Sequence, residues 1–420
     1  MSLNQFWNRR GFLGGFLGSL SAVLGGGVAV AKAPSDGKVP PPAKLTGFGS
    51  SGDVYAELGV TPVINADATM TTLGGSLMSP EVETVMAEAA RHFVSIPALN
   101  IAAGNRIAQM LKLDDIHTAV VTGGAAAALQ SGLAGILTGD NEQFIRQLPD
   151  LTGMKSEVII QKSHRYAFDH QLRATGIKFV EIETVADLEK AVNSQTAMMH
   201  FANWLNPDGQ IKVDEWPRLA KKHNLPCFND AAADVPPVSH LWDYINMGYD
   251  LVTFSGGKAM RGPQCAGLLI GRKDLIRYAT LNTSPYEDVL GRASKVGKEE
   301  IVGMVKALEL FMQADHDALA TEWSHRLQSI SGKIAGIPGI QTSFFEPEIA
   351  NHFPTMRVTW DQAKIPMSPK QVGQALRDGK PSISVGMGED GIEITTFLLK
   401  PGEEKIVGEQ LAAVLKQRPA

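Results

Sequence analysis

The chain has 420 residues, 44% apolar and 20% charged, with a net charge of −5. This is ordinary soluble globular composition, long enough for a large core and a smaller second domain, and it supplies no basic surface for a nucleic-acid partner. The two cysteines, Cys227 and Cys265, form no CxxC pair or cysteine–histidine cluster, so neither a disulfide framework nor a metal site is expected.

Residues 1–33 read as a targeting segment. Asn8-Arg9-Arg10-Gly11-Phe12-Leu13 has the form of a twin-arginine export signal, followed by a glycine-diluted apolar stretch over 12–31 and the small residues Ala29-Val30-Ala31. The partner implied is the twin-arginine export machinery, which carries proteins already folded, and the location implied is the periplasm. Residues 34–52, rich in proline, glycine and serine, read as a linker.

From residue 53 onward the pattern alternates. Strands are expected at 117–122, 157–161, 178–182, 196–202, 226–230, 251–255 and 266–271, with helices at 125–137, 167–175, 186–192 and 214–223. Such alternation indicates a mostly parallel sheet covered by helices, with ligands bound at the carboxyl ends of the strands. Helical spacing over 298–327 predicts one long helix leading to a small domain. That domain is expected to hold a strand at 356–360, a helix at 369–377, strands at 383–387 and 392–399, and a helix at 403–416. The expected division is 53–290 for an N-terminal segment with the large domain, and 291–420 for the linking helix with the small one.

Three landmarks fall at strand ends. Thr122-Gly123-Gly124-Ala125-Ala126 reads as a strand, a glycine turn and a helix start, whose outward backbone N–H groups suit a phosphate. Asp230 ends the next landmark strand, with Ala231-Ala232 after it. Lys258 follows Phe254-Ser255-Gly256-Gly257, where small neighbours leave room over its amine. A phosphate cup, an aspartate and a lysine in this order suit pyridoxal 5′-phosphate: the lysine holds it, and the aspartate keeps its ring nitrogen protonated. Gly123, Gly124, Ala125, Ala126, Asp230, Ala232, Ser255 and Lys258 are therefore the expected cofactor-binding residues, with Lys258 also catalytic. His164, at the end of the 157–161 strand, is expected to stack on the cofactor ring, with His170 the competing choice.

Four stretches then carry a family resemblance. They are Ile64-Asn65-Ala66, Leu73-Gly74-Gly75-Ser76-Leu77-Met78-Ser79-Pro80-Glu81-Val82, the block from Ser255 to Gln264, and Gly291-Arg292-Ala293-Ser294-Lys295-Val296-Gly297-Lys298-Glu299-Glu300-Ile301-Val302-Gly303. Together they resemble the selenocysteine-synthase-like family of fold-type-I pyridoxal-phosphate proteins, and the branch that fits best is that of D-glucosaminate-6-phosphate ammonia-lyase. The resemblance runs from about Val54 to the C-terminus and implies the α/β fold of fold-type-I transferases, the cofactor, and Lys258 as its anchor. It also suggests that the small-domain Arg357 clamps a substrate carboxylate, that Thr69 and Gln264 contact substrate, and that Arg292 and Lys295 reach across a homodimer interface. Phe397-Leu398-Leu399 depart from the charged character expected of relatives there.

The function expected is a periplasmic pyridoxal-phosphate lyase acting on a small amino acid or amino-sugar acid, as a dimer or a multiple of dimers. Racemisation or retro-aldol cleavage is the alternative, and a catalytically silent binding protein is a third reading. The acidic charge weighs against tRNA-dependent selenium transfer.

Overall fold

The structure, a computed structural model, describes residue 49 and residues 52–416. The expected signal segment lies outside the described residues. Two compact units are formed. The larger comprises Thr69–His316 and Pro347–His352, and the smaller comprises the described residues through Ala68, Asp317–Glu346 and the described residues from Phe353 onward.

Short helix α1 (Val54–Glu57) and strand β1 (Val63–Ala66) open the smaller unit. The larger unit contains α2 (Pro80–Ala89), α3 (Ile96–Met110), β2 (His117–Thr122), α4 (Ala125–Thr138), α5 (Glu142–Gln147), β3 (Glu157–Gln161), α6 (His170–Arg173) and β4 (Lys178–Ile182). It continues through α7 (Val185–Ala191), β5 (Thr196–Ala202), α8 (Trp216–Lys222), β6 (Cys227–Asp230), α9 (His240–Met247), β7 (Leu251–Ser255), β8 (Gly267–Arg272), α10 (Lys273–Leu281) and α11 (Lys298–Gln313).

Seven strands form its sheet in the order β2-β8-β7-β6-β5-β3-β4. All run parallel except β8, which is antiparallel to both neighbours. Every residue of β5 is buried, as a central parallel strand covered on both faces requires. Alternate side chains divide between two cores, as the two-residue period of a strand dictates. Ile159, Met199, Phe201, Val252, Phe254, Leu268 and Ile270 pack on one face with α3, α8, α9 and α11. Val158, Met198, Phe228, Leu251 and Leu269 pack on the other with α4 and α10. Helix α4 approaches so closely that a Cβ on Gly132 would lie 2.6 Å from the Phe228 ring.

The smaller unit adds α12 (His316–Ile334), β9 (Ile340–Phe345), β10 (Thr355–Trp360), α13 (Pro369–Arg377), β11 (Ser382–Met387), β12 (Gly391–Thr395) and α14 (Glu403–Lys416). Its sheet runs β1-β11-β12-β10-β9, with β1 parallel to β11 and the other pairs antiparallel. Its core gathers Ile64, Met356, Val358, Ile383 and Ile394 with Leu327, Ile330, Val372, Leu376 and Leu411.

Several expectations are corrected. The division does not fall at 290/291. Helix α11 packs its Ile301, Met304 and Leu308 into the larger unit's core, while pairing with β11 draws residues 63–66 into the smaller unit. The single helix over 298–327 is two helices, because Ala314 takes extended backbone. The His316 ring then folds back to Phe311, with Nε2 2.8 Å from its carbonyl oxygen. The helix at 167–175 is a short 3₁₀ turn followed by α6. Strand β12 stops at Thr395, and Phe397, Leu398 and Leu399 beyond it are buried, with Phe397 stacked on Phe353 at 3.8 Å. Their apolar character is thus a packing requirement. No helix among the described residues is long and apolar enough to cross a membrane.

Candidate active site

Strands β2, β3, β5, β6 and β7 deliver their carboxyl ends to one edge of the larger sheet. At β2 the chain turns through Gly124, whose φ of +92° is in the left-handed region that favours glycine, into α4. The α4 N-terminus has no side-chain cap, residues 123–126 are partly exposed, and a Cβ on Gly124 would meet nothing within 4 Å. Unpaired first-turn N–H groups facing open space are what an anion needs. The cup is rigidly backed. A Cβ on Gly267 would lie 2.7 Å from the Gly124 carbonyl carbon, and one on Gly123 would lie 2.6 Å from the Ser294 oxygen.

Asp230, at the end of β6, is 4% exposed. Its Oδ1 accepts the Ala232 N–H at 3.1 Å, and its Oδ2 accepts the Tyr166 hydroxyl at 2.5 Å. Burial raises its pKa; the Tyr166 and Ala232 hydrogen bonds and the nearby charge of Lys258 act against that rise. Burial lowers the Lys258 pKa, opposed only by the charge of Asp230. Lysine and aspartate therefore sense one another, and the lysine amine makes no hydrogen bond or ion pair among the described residues.

Glycines form the lysine's loop for steric reasons. A Cβ on Gly256 would strike Met304 Sδ at 2.2 Å, and one on Gly257 would come 2.8 Å from Gln264 Cα. Gly75, with φ +74°, fits against the same loop: its Cβ would lie 2.5 Å from the Gly257 oxygen and would overlap Gln264 Oε1. Gln264 is exposed beside this loop, and Arg261, also on it, donates from Nε to the Leu77 oxygen at 2.8 Å. Ser255, half-buried at the end of β7, donates its backbone N–H to the Ala232 oxygen at 3.1 Å, which joins the aspartate and lysine strands. Thr69 is buried where the larger unit begins.

Other expected residues sit differently. His164 is completely enclosed. Its Nδ1 accepts the Ala202 N–H at 3.4 Å, its Nε2 lies 3.2 Å from Gln161 Nε2, and Phe201 meets its ring edge-on at 4.5 Å. Burial lowers its pKa to about 4. An enclosed ring offers no face for stacking, so His164 is a core histidine. His170 is exposed and lies 3.3 Å from Arg173 Nη2. Arg357 is no open clamp: it donates to Glu393 from Nε at 3.1 Å and Nη2 at 2.7 Å, with its guanidinium over Phe345. Arg292 and Lys295 are exposed on the segment that places Ser294 against Gly123. Cys265 is exposed in the turn before β8, whereas Cys227 is buried.

Sequence reasoning missed Tyr166 and His200. Tyr166 follows His164 in the same loop and is the flat side chain that reaches Asp230. A double clamp holds its turn: Asp169 accepts Arg165 Nε at 2.6 Å, Arg173 Nε at 2.9 Å and the Tyr166 N–H at 3.3 Å. His200 lies in β5 with its ring parallel to Tyr166, centroids 6.1 Å apart. A histidine inside an otherwise apolar strand was the available signal.

Four residues past Asp230, Asp234 anchors a second polar cluster. It accepts from Asn203 Nδ2 at 2.7 Å, His240 Nδ1 at 3.1 Å, His352 Nε2 at 3.4 Å, the Ala350 N–H at 3.3 Å and the Tyr244 hydroxyl. Asp234, His240 and His352 could converge on a cation. These five donors already saturate the carboxylate, however, and the 2.7 Å contact of His240 Nδ1 with the Asp234 backbone oxygen requires a proton on that nitrogen. The cluster is a hydrogen-bonded knot.

Pyridoxal 5′-phosphate demands an anion cup, an acceptor for its ring N–H and an amine for its aldehyde carbon. This sheet edge meets each demand with residues 123–126, Asp230 and Lys258, so the residues present fit the cofactor. The chain is a pyridoxal-phosphate-dependent enzyme of fold type I. Residues 63–327 match the SelA family, L-seryl-tRNA selenium transferase, and the chain belongs to that family. It is 29% identical over 342 residues to D-glucosaminate-6-phosphate ammonia lyase of Salmonella typhimurium (strain 14028s / SGSC 2262), covering 79% of this chain and 88% of that protein. It is 27% identical over 373 residues to 5′-C-glycyluridine monooxygenase-decarboxylase of Streptomyces sp, covering 84% and 90%. The solved structure of a D-glucosaminate-6-phosphate ammonia-lyase superposes with a TM-score of 0.75 at 26% identity, covering 87% of this chain and 98% of that one. Among its activities, lyase is the type these likenesses define.

Proposed function

We propose that the enzyme removes a β-substituent and the amino group from a small amino acid or amino-sugar acid, yielding a keto acid and ammonia. The observation that carries this reading is a buried, unpartnered Lys258 amine that senses the charge of Asp230, in a chain of this family. When bound, pyridoxal phosphate draws electron density from the substrate's Cα and acidifies the hydrogen there. Residues 123–126 would hold its phosphate, Asp230 its ring nitrogen and Lys258 its aldehyde carbon. Lys258 Nζ, its pKa lowered by burial, is more readily freed of its proton than an exposed lysine and is suited to accept a proton from the substrate and return it. For a β-hydroxy substrate the hydroxyl leaves as water, and a second water replaces nitrogen at Cα, so ammonia and keto acid form in equal amounts.

The ammonia-lyase likeness supports the reaction type. The twin-arginine motif at residues 8–13 supports export and work in the periplasm. Sugar-acid phosphates are cytoplasmic metabolites, so export favours an unphosphorylated substrate. The test is a screen of phosphorylated and free amino-sugar acids and small amino acids, scoring keto acid, ammonia and product chirality together. Equal yields of keto acid and ammonia from a free acid are expected. An enantiomer without ammonia would overturn elimination in favour of racemisation.

A further inference from the structure

We propose that Tyr166 is a positioning residue for the cofactor: its hydroxyl fixes the Asp230 carboxylate so that the carboxylate meets the cofactor's ring N–H. This rests on the reading of Asp230 as the ring-nitrogen acceptor. Each Asp230 oxygen holds one donor, the Ala232 N–H at 3.1 Å on Oδ1 and the Tyr166 O–H at 2.5 Å on Oδ2. One donor on each oxygen fixes the plane of the carboxylate and leaves each oxygen a lone pair. Such a charge-assisted bond is among the stronger kinds a neutral side chain makes.

Tyr166 is itself held in place. Asp169, clamped by Arg165 and Arg173, fixes its turn. His200 lies parallel to its ring, with Nε2 3.2 Å from the phenol oxygen, and Trp204 meets it edge-on at 6.0 Å. Burial lowers the His200 pKa to about 3, so the ring is neutral and carries one proton. The single Tyr166 O–H is given to Asp230, so the 3.2 Å contact is a hydrogen bond with the ring proton on Nε2. The chain of donation therefore runs from His200 Nε2–H to the Tyr166 oxygen, and from the Tyr166 O–H to Asp230. Burial and the charge of Asp230 hold the phenol well above its usual pKa, so Tyr166 remains a donor and does not act as a base.

The test is cofactor affinity, measured by fluorescence titration of the full-length apoprotein with pyridoxal phosphate and with 1-deazapyridoxal phosphate, whose ring carries a C–H in place of nitrogen. Tyr166→Phe keeps the ring and removes only the hydroxyl. It should weaken pyridoxal phosphate binding by roughly tenfold and leave the deaza analogue's affinity unchanged. Equal weakening of both ligands, or of neither, would overturn the proposal. Loss of the folded apoprotein in Tyr166→Phe would do so too, since the hydroxyl would then serve the fold. Asp230→Asn is the control: if it binds pyridoxal phosphate as tightly as wild type, the reading of Asp230 fails, independently of Tyr166.

Discussion

Asp230 ends β6 and Asp234 lies four residues further on in the loop that follows, and both are nearly enclosed, at 4% and 2% exposure. Burial acts on both in the same direction, yet the pKa of Asp230 is raised and that of Asp234 lowered. The difference lies in their partners. Asp234 has five donors, among them two histidines, while Asp230 has two neutral donors and senses the charge of a lysine that makes no ion pair with it. A saturated carboxylate belongs to the fold; one with spare lone pairs that senses the charge of an unpaired amine belongs to chemistry.

The sharpest way to break this comparison is at the amine. Lys258→Ala should lower turnover by about three orders of magnitude or more and abolish the visible absorbance that a lysine-bound cofactor gives and that borohydride removes, with thermal unfolding nearly unchanged. Wild-type turnover would remove Lys258 from its role. Asp230→Asn should cost roughly a hundredfold in turnover while leaving the apoprotein as stable or slightly more so, because a poorly compensated buried charge is gone. Asp234→Asn should do the reverse: about 3 kcal/mol less stability in urea unfolding, with the cofactor's absorbance retained. If Asp234→Asn lost the cofactor and Asp230→Asn did not, the two carboxylates would have exchanged roles.

A smaller effect lies in pH. The pKa of His240 is raised in the fold, through its hydrogen bond to Asp234 and that carboxylate's charge acting against burial. A raised folded value means its contribution is fully present below the unfolded value of about 6.5 and is lost as pH rises through the folded one. The stability gap between wild type and His240→Gln should therefore shrink from pH 6 to pH 9. A gap that widened over that range would show that His240 is neutral in the knot.

By itself the sequence determined the strand–helix alternation, the glycine cup, Asp230 and the lysine turn, since apolar periodicity and glycine placement are local properties. Helices 369–377 and 403–416 were legible for the same reason, having amphipathic spacing. Which flat side chain reaches Asp230 was not legible. His164 and Tyr166 share one loop, and only the Asp169 clamp and the burial of His164 behind Gln161 turn the tyrosine toward the carboxylate. Nor could spacing show that Arg357 is spent on Glu393, or that residues 63–66 join the smaller unit. Those outcomes depend on partners 36 and more than 300 positions away. Local pattern fixes what a segment becomes, but a polar side chain's role depends on which distant partners fold against it, and tertiary structure alone decides that.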